Sequence, residues 1–319
     1  MKCTVCSNES GNTTHRLREM MFGYRDVFDY VECAQCKCVQ IADIPVSMSK
    51  YYPAGYHSFA PIAARKGFRR LAAKLRDGYA LSGRGGVGKL LSRHFPPDAA
   101  LASLSPLDLN HSTRILDVGC GTGMLLGTLG DLGFRSLLGV DPFLAADVER
   151  GNVKLLKKTI HEVVGEFDLI MFHHSFEHLA DPGESLKAAR LLLSPRGHCL
   201  IRMPTVSSYA WRHYGMNWVQ LDAPRHFHVH SVDSVRILAD GAGFDLSSLV
   251  YDSTAFQFWA SEQYARDIPL YDPRSYAVAA RSSIFSKQQI AVFEQRAAEL
   301  NAAELGDQAV FYLRKRSVA

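Results

Sequence analysis

The ten residues "RILDVGCGTG", 114–123, constrain this chain more than any other stretch. Residues 115–118 form a short apolar strand after a turn-rich segment, "SPLDLNHST". Gly119, Gly121 and Gly123 follow at alternate positions, and "MLLGTLGDLGF" then reads as a helix ending in glycine. A strand, a tight glycine turn and a helix start bring backbone N–H groups close to a ligand. A second strand, "SLLGVD", ends in Asp141, 20 residues after Gly121. An acid at that place can accept hydrogen bonds from both hydroxyls of a ribose. Any adenosine-containing cofactor could satisfy this. A dinucleotide is disfavoured, because its G-x-G-x-x-G pattern would need glycine where Met124 stands.

The alternation continues along the chain. Strands are expected near 114–119, 136–141, 152–156, 167–173, 197–203 and 245–252, with "DQAVFYLRK" as a final strand. Helices between them imply an α/β fold with a parallel sheet covered on both faces. The long connection near 255–305 contains a helical stretch, "SKQQIAVFEQRAAELNAAEL".

An earlier glycine cluster, "SGRGGVGKL", fits the G-x-x-x-x-G-K spacing of a phosphate-binding loop from Gly83 to Lys89. A working loop of that kind follows a buried strand and carries Ser or Thr after the lysine. Here "AKLRDGYAL" precedes it and Leu90 takes the Ser/Thr position, so a flexible loop is expected. Just upstream, Phe68, Leu71, Ala72 and Leu75 share one helical face. Arg65, Lys66, Arg69, Arg70, Lys74 and Arg76 give the other face a basic character. The plain expectation is an amphipathic helix with a solvated basic side. The sharper one is contact with an anionic substrate or membrane surface.

Cys3 and Cys6 form one C-x-x-C pair and Cys33 and Cys36 another. Two such turns can close a tetrahedral sulfur site suited to structural zinc, with no open position for chemistry. Cys38 reads as packing. The start, "MKCTVCSNESGN", lacks the apolar run of a signal peptide, and no apolar stretch approaches the roughly 20 residues needed to span a bilayer. A cytoplasmic protein with mostly reduced cysteines is expected. The formal net charge of +4 on 319 residues permits nucleic-acid binding without demanding it.

"LDVGCGTG" together with "GVDP" resembles the class I S-adenosylmethionine-dependent methyltransferases. "EFDLIMFHHSFEHLADP" looks like that family's fourth strand and following loop, and "LLLSPRGHCLIRMPT" like its fifth helix–strand unit. The resemblance implies a Rossmann-like seven-stranded methyltransferase sheet whose last strand inserts antiparallel. Three regions follow along the chain: a zinc-binding ribbon over 1–50, a helical linker region over 51–108, and the methyltransferase domain over 109–319. It also implies S-adenosylmethionine as cofactor. Asp117 and Gly119 would approach its methionine end, with Cys120, Gly121 and Gly123 in the same loop. Asp141 would hold the ribose, Ile160 would flank the adenine, and His173 would sit nearby.

"NWVQLDAPRHFHVHSVDSVRILADGAGF" resembles a segment of bacterial methyltransferases of sugar and polysaccharide pathways, and the paired cysteines followed by "YYPAGYHS" point the same way. The implied partner is a carbohydrate-related small molecule. Candidate catalytic residues are His226, His178, Glu177 and Tyr56. His226 is the foremost candidate base, because histidine titrates near neutral pH. In quinone O-methyltransferases an E-x-x-E-H version of the 174–178 stretch looks metal-assisted, but His174 here replaces the first Glu. Two alternatives remain open: a zinc-ribbon ribosomal-RNA methyltransferase, and a non-catalytic interaction protein on the same fold. Nucleic acid is disfavoured by the mild charge.

Overall fold

A computed structural model of the chain describes residues 1–53 and 67–316, so Tyr56, Arg65 and Lys66 lie outside the described residues. The described strands are β1 (Thr13–Arg18), β2 (Val27–Glu32), β3 (Val39–Ile41), β4 (Arg114–Val118), β5 (Ser136–Val140), β6 (Val148–Arg150), β7 (Val153–Leu156), β8 (Phe167–His173), β9 (Leu193–Pro204), β10 (His228–Val229), β11 (Phe244–Tyr251) and β12 (Gln308–Lys315). The chain forms two compact units that interleave along the sequence. The first contains Met1–Pro53, Phe176–Leu186 and Met203–Phe311; the second contains Ala54–Ser175, Lys187–Arg202 and Tyr312–Ala319.

In the second unit the strand order is β12–β9–β8–β4–β5–β7–β6. The pairs β4–β5, β4–β8, β5–β7 and β8–β9 are parallel. Ile115 and Leu116 of β4 and Leu169, Ile170 and Met171 of β8 are fully buried, as strands covered on both faces require. β6 is an addition to the seven expected strands. It pairs antiparallel with β7, turning through Gly151 and Asn152, and Gly151 adopts φ 62°. Gly-Asn between two short strands is a two-residue hairpin signal. In the first unit β11 follows β12 in the strand order, and Asp252 N donates to Gln308 O at 3.1 Å.

The first unit also holds a four-stranded sheet of order β1–β2–β3–β10. Its pairs are antiparallel, and β10 closes it with His228 opposite Gln40 and Val229 opposite Val39. The cysteine-bearing ribbon is therefore completed by a strand almost 190 residues further along the chain.

The first glycine cluster has no phosphate-loop geometry. A helix, Gly67–Ser82, precedes it, and Lys89 sits inside a second helix, Gly86–His94. Most of the expected flexible loop is thus helical. Gly88 has a packing reason: a Cβ there would lie 2.3 Å from Leu75 O, so glycine lets the helices cross closely. Phe68, Leu71 and Leu75 share a face as the periodicity requires, but that face is exposed rather than packed.

Candidate active site and metal centre

In the second unit, β4 delivers the glycine turn. Gly119, Gly121 and Gly123 have φ of 76°, 51° and 73°, a region that side chains rarely tolerate. A Cβ on Gly119 would meet Ser175 Cβ at 2.3 Å, and one on Gly123 would meet Leu155 Cδ2 at 2.7 Å. The loop is thus compressed onto its supports, leaving its other side for a ligand's close approach. Ser175 Oγ donates to Val118 O at 2.6 Å and fixes the floor. Sequence reasoning missed Ser175, since a lone serine after a strand carries no signal.

Asp141 is buried at the end of β5. Gly121 N donates to its Oδ2 at 3.0 Å and Phe143 N to its Oδ1 at 2.9 Å. A carboxylate has about four acceptor positions, so each oxygen retains capacity for a ribose hydroxyl. Asp117 is buried in β4. Burial, with the Asp141 charge adding to it, pushes Asp117 up to about 7. Ile160 is buried in a short helical turn, Ile160–Glu162. Burial, then the two aspartates, push the Cys120 thiol far up, so it is an inert thiol in the loop rather than a nucleophile. His173 ends β8 with both ring nitrogens buried. The exposed His174 follows in a left-handed conformation and pairs with Arg202 at 2.7 Å. It is thus engaged by a cation rather than placed as a substitute carboxylate.

The first unit holds a different cluster. Glu177, His178 and His226 each offer one donor atom, and these atoms lie within 4.8 Å of one another. Such a set suits proton transfer, and its composition would also hold a divalent cation. Glu177 is fully buried and does not cap the following helix; Asp181 does, accepting from Glu184 N at 3.0 Å. His226 Nδ1 lies 2.8 Å from Gln220 O and His178 Nδ1 lies 2.7 Å from Arg225 O. A carbonyl only accepts, so both Nδ1 atoms carry a proton, which leaves Nε2 of a neutral ring with the lone pair. His226 Nε2 lies 3.9 Å from Glu177 Oε1 and 3.8 Å from Asp222 Oδ2. Burial, and then the neighbouring His178, hold His226 down at about 4, so the ring is neutral near pH 7. The two carboxylates face the position where a proton would arrive. His228 and His230 have other duties. Their rings stack at 5.4 Å, and His228 bonds Leu179 O and Thr4 Oγ1.

Arg225 anchors this segment with no exposed side-chain surface. It bonds Glu19 Oε1 at 2.9 Å, Asp222 Oδ1 at 2.6 Å and Tyr51 O at 3.2 Å. Burial alone would raise Asp222, but the Arg225 guanidinium holds it below the usual carboxylate range. Tyr30 Oη donates to His226 O at 2.8 Å. Glu19 and Tyr30 were not legible as site residues, because their partners lie 206 and 196 positions away; Asp222 was missed although Arg225 and His226 are only three and four residues on.

The four cysteines converge as their spacing predicts. Their Sγ atoms lie within 4.8 Å of one another, with Cys3–Cys36 at 3.6 Å and Cys6–Cys33 at 3.4 Å. The two turns repeat one another. Cys3 N donates to Asn8 O and Cys33 N to Cys38 O; Ser7 N donates to Cys3 O and Lys37 N to Cys33 O. Ser7 and Lys37 both take the left-handed conformation that ends such a turn. A zinc with bonds of about 2.3 Å spaces its tetrahedral sulfurs at roughly 3.8 Å, so the residues fit that ion. All seven cysteines are free thiols.

Residues 60–249 match the family described as Methyltransferase domain. The match covers more than half of the chain, and the chain belongs to that family; it is an S-adenosylmethionine-dependent methyltransferase. A ubiquinone biosynthesis O-methyltransferase from Azorhizobium caulinodans is 33% identical over 182 residues, 52% of this chain and 70% of that protein. One from Acinetobacter baylyi is 30% identical over 120 residues, 31% of this chain and 50% of that protein. The chain thus spans 70% of the first relative's length and half of the second's. Among solved structures, an S-adenosylmethionine-dependent methyltransferase from Mesorhizobium loti is 16% identical, with 67% of this chain and 98% of that one covered and a TM-score of 0.43. Among the described residues no helix is long and apolar enough to cross a membrane.

Proposed function

We propose that the protein transfers the methyl group of S-adenosylmethionine to a hydroxyl oxygen of a small molecule, with His226 as general base. The observation that supports this most is the neutral His226 imidazole, its Nε2 lone pair facing Glu177 and Asp222. The cofactor supplies a methyl group already activated on a cationic sulfur. The protein must bind the donor, orient the acceptor and take its proton. In this reading Asp141 receives the ribose hydroxyls, Asp117 serves the methionine end, and Ile160 and His173 line the donor site. His226 accepts the acceptor's proton at Nε2. Glu177 and Asp222 stabilise the resulting imidazolium, while Arg225 O fixes His178 beside it. The four cysteines hold a structural zinc.

Oxygen as the methylated atom is supported by the relatives' description as O-methyltransferases. A carbohydrate-related acceptor is supported by the sugar-pathway resemblance of "NWVQLDAPRH"; a ubiquinone precursor is the second acceptor class, supported by the same relatives. Labelled-methyl transfer to nucleotide sugars, quinone precursors and RNA tests all three classes. Transfer to a sugar or a quinone precursor is expected, with the label stable as an ether. Labelling of RNA alone would overturn the proposal.

A further inference from the structure

The helical hairpin of Gly67–Ser82 and Gly86–His94 serves none of the roles above. Phe68, Leu71 and Leu75 recur along one face of the first helix and are exposed, Phe68 at 83%. On the second helix Val87 and Leu90, three positions apart, are also exposed, and Phe95 follows at 63%. Single exposed apolar residues are ordinary; six within one hairpin mark a surface that meets something. The charge is equally concentrated. Residues 67–95 hold seven basic side chains and one acid, a net +6, so the rest of the chain together carries −2. Arg70 is paired with Asp131, and Arg76 with the buried Asp77. Arg69, Lys74, Arg84, Lys89 and Arg93 are exposed.

From this we infer that the hairpin is a docking surface for an anionic lipid bilayer, lying in the headgroup plane. Exposed Phe and Leu on one face, flanked by Arg and Lys, are the composition of an interfacial helix. The apolar side chains would enter the acyl boundary while the basic ones meet lipid phosphates. Charge selects this occupant over a second copy of the chain, since two hairpins of +6 would repel. Nucleic acid would satisfy the charge but leave the aliphatic Leu71, Leu75, Val87 and Leu90 without a role.

Sedimentation of the full-length protein with vesicles tests this. Vesicles of phosphatidylcholine with phosphatidylglycerol should bind it, vesicles of phosphatidylcholine alone at least roughly tenfold less. Raising the salt should release it. Lys74→Glu with Lys89→Glu should weaken partitioning by at least roughly tenfold, as should Leu71→Ser with Leu75→Ser. Because the altered residues are exposed, each variant should keep the wild-type circular dichroism and donor affinity. No sedimentation, or equal sedimentation with both vesicle types, overturns the inference. So does a variant pair that binds like wild type. Concentration-dependent dimerisation or RNA retention, in a protein that ignores vesicles, would assign the surface to those occupants instead.

Discussion

At the residue scale, His226 and Asp117 show burial acting in opposite directions. Burial disfavours the charged form of both, so it lowers the histidine to about 4 and raises the carboxyl to about 7. A neutral His226 at working pH is what a proton acceptor needs. His226→Ala should lower turnover by roughly 10²-fold or more, the usual scale of acid–base catalysis. Calorimetry should find donor affinity nearly unchanged, because the residues proposed for the donor belong to the other unit. Full activity in that variant would remove His226 as the base. For Asp117 the sign runs through the ligand. The ammonium of the donor's methionine end favours an ionised carboxylate, so binding below about pH 7 must expel a proton. Affinity should therefore rise with pH, by up to about tenfold per unit below pH 7, and flatten above it. Asp117→Asn should give a flat profile, and a flat wild-type profile would place Asp117 away from the ammonium.

At the element scale, the ribbon and the segment that carries His226 are joined. β10 pairs with β3, Ser231 Oγ donates to Cys36 O, and Tyr30 holds the His226 carbonyl. Zinc should therefore order the 222–231 segment as well as the cysteine turns. Cys33→Ser should lose about one zinc per chain and raise amide exchange across that segment, while donor binding in the second unit persists. Unchanged exchange at residues 226–231 after zinc loss would make the ribbon an independent module. Little of this was visible in sequence. The C-x-x-C spacing was legible because ligand geometry is local. The β3–β10 pairing was not, because a two-residue strand offers no periodicity. The helix at Gly67–Ser82 was legible as a helix, but periodicity reveals which residues share a face and not whether anything covers it. The turn of the glycine loop was legible, since positive φ at alternate residues strongly favours glycine there, whereas its support by Ser175 was not.

At the scale of the whole molecule, totals along the chain conceal where properties reside. A net charge of +4 looks mild, yet one hairpin holds more than all of it. The compact units likewise ignore chain order, and the first is assembled from three stretches of sequence. Arg225 fastens two of these stretches, reaching Glu19 and Tyr51 from 206 and 174 positions away. Glu19 is itself fixed, because its two oxygens accept from Phe22 N and Tyr24 N. Removing that carboxylate would leave a fully buried guanidinium with Asp222 as its remaining carboxylate partner. Breaking a buried pair in this way typically costs about 3–5 kcal/mol, and the surviving Asp222 contact places Glu19→Ala toward about 3. Denaturant unfolding of the zinc-loaded protein should show that loss. Turnover should fall with it, since Asp222 and Arg225 set the ground on which His226 stands. Donor affinity, measured well below the melting temperature, should not follow. Loss of donor affinity in step with turnover would show that this buried pair supports more than the segment that carries His226.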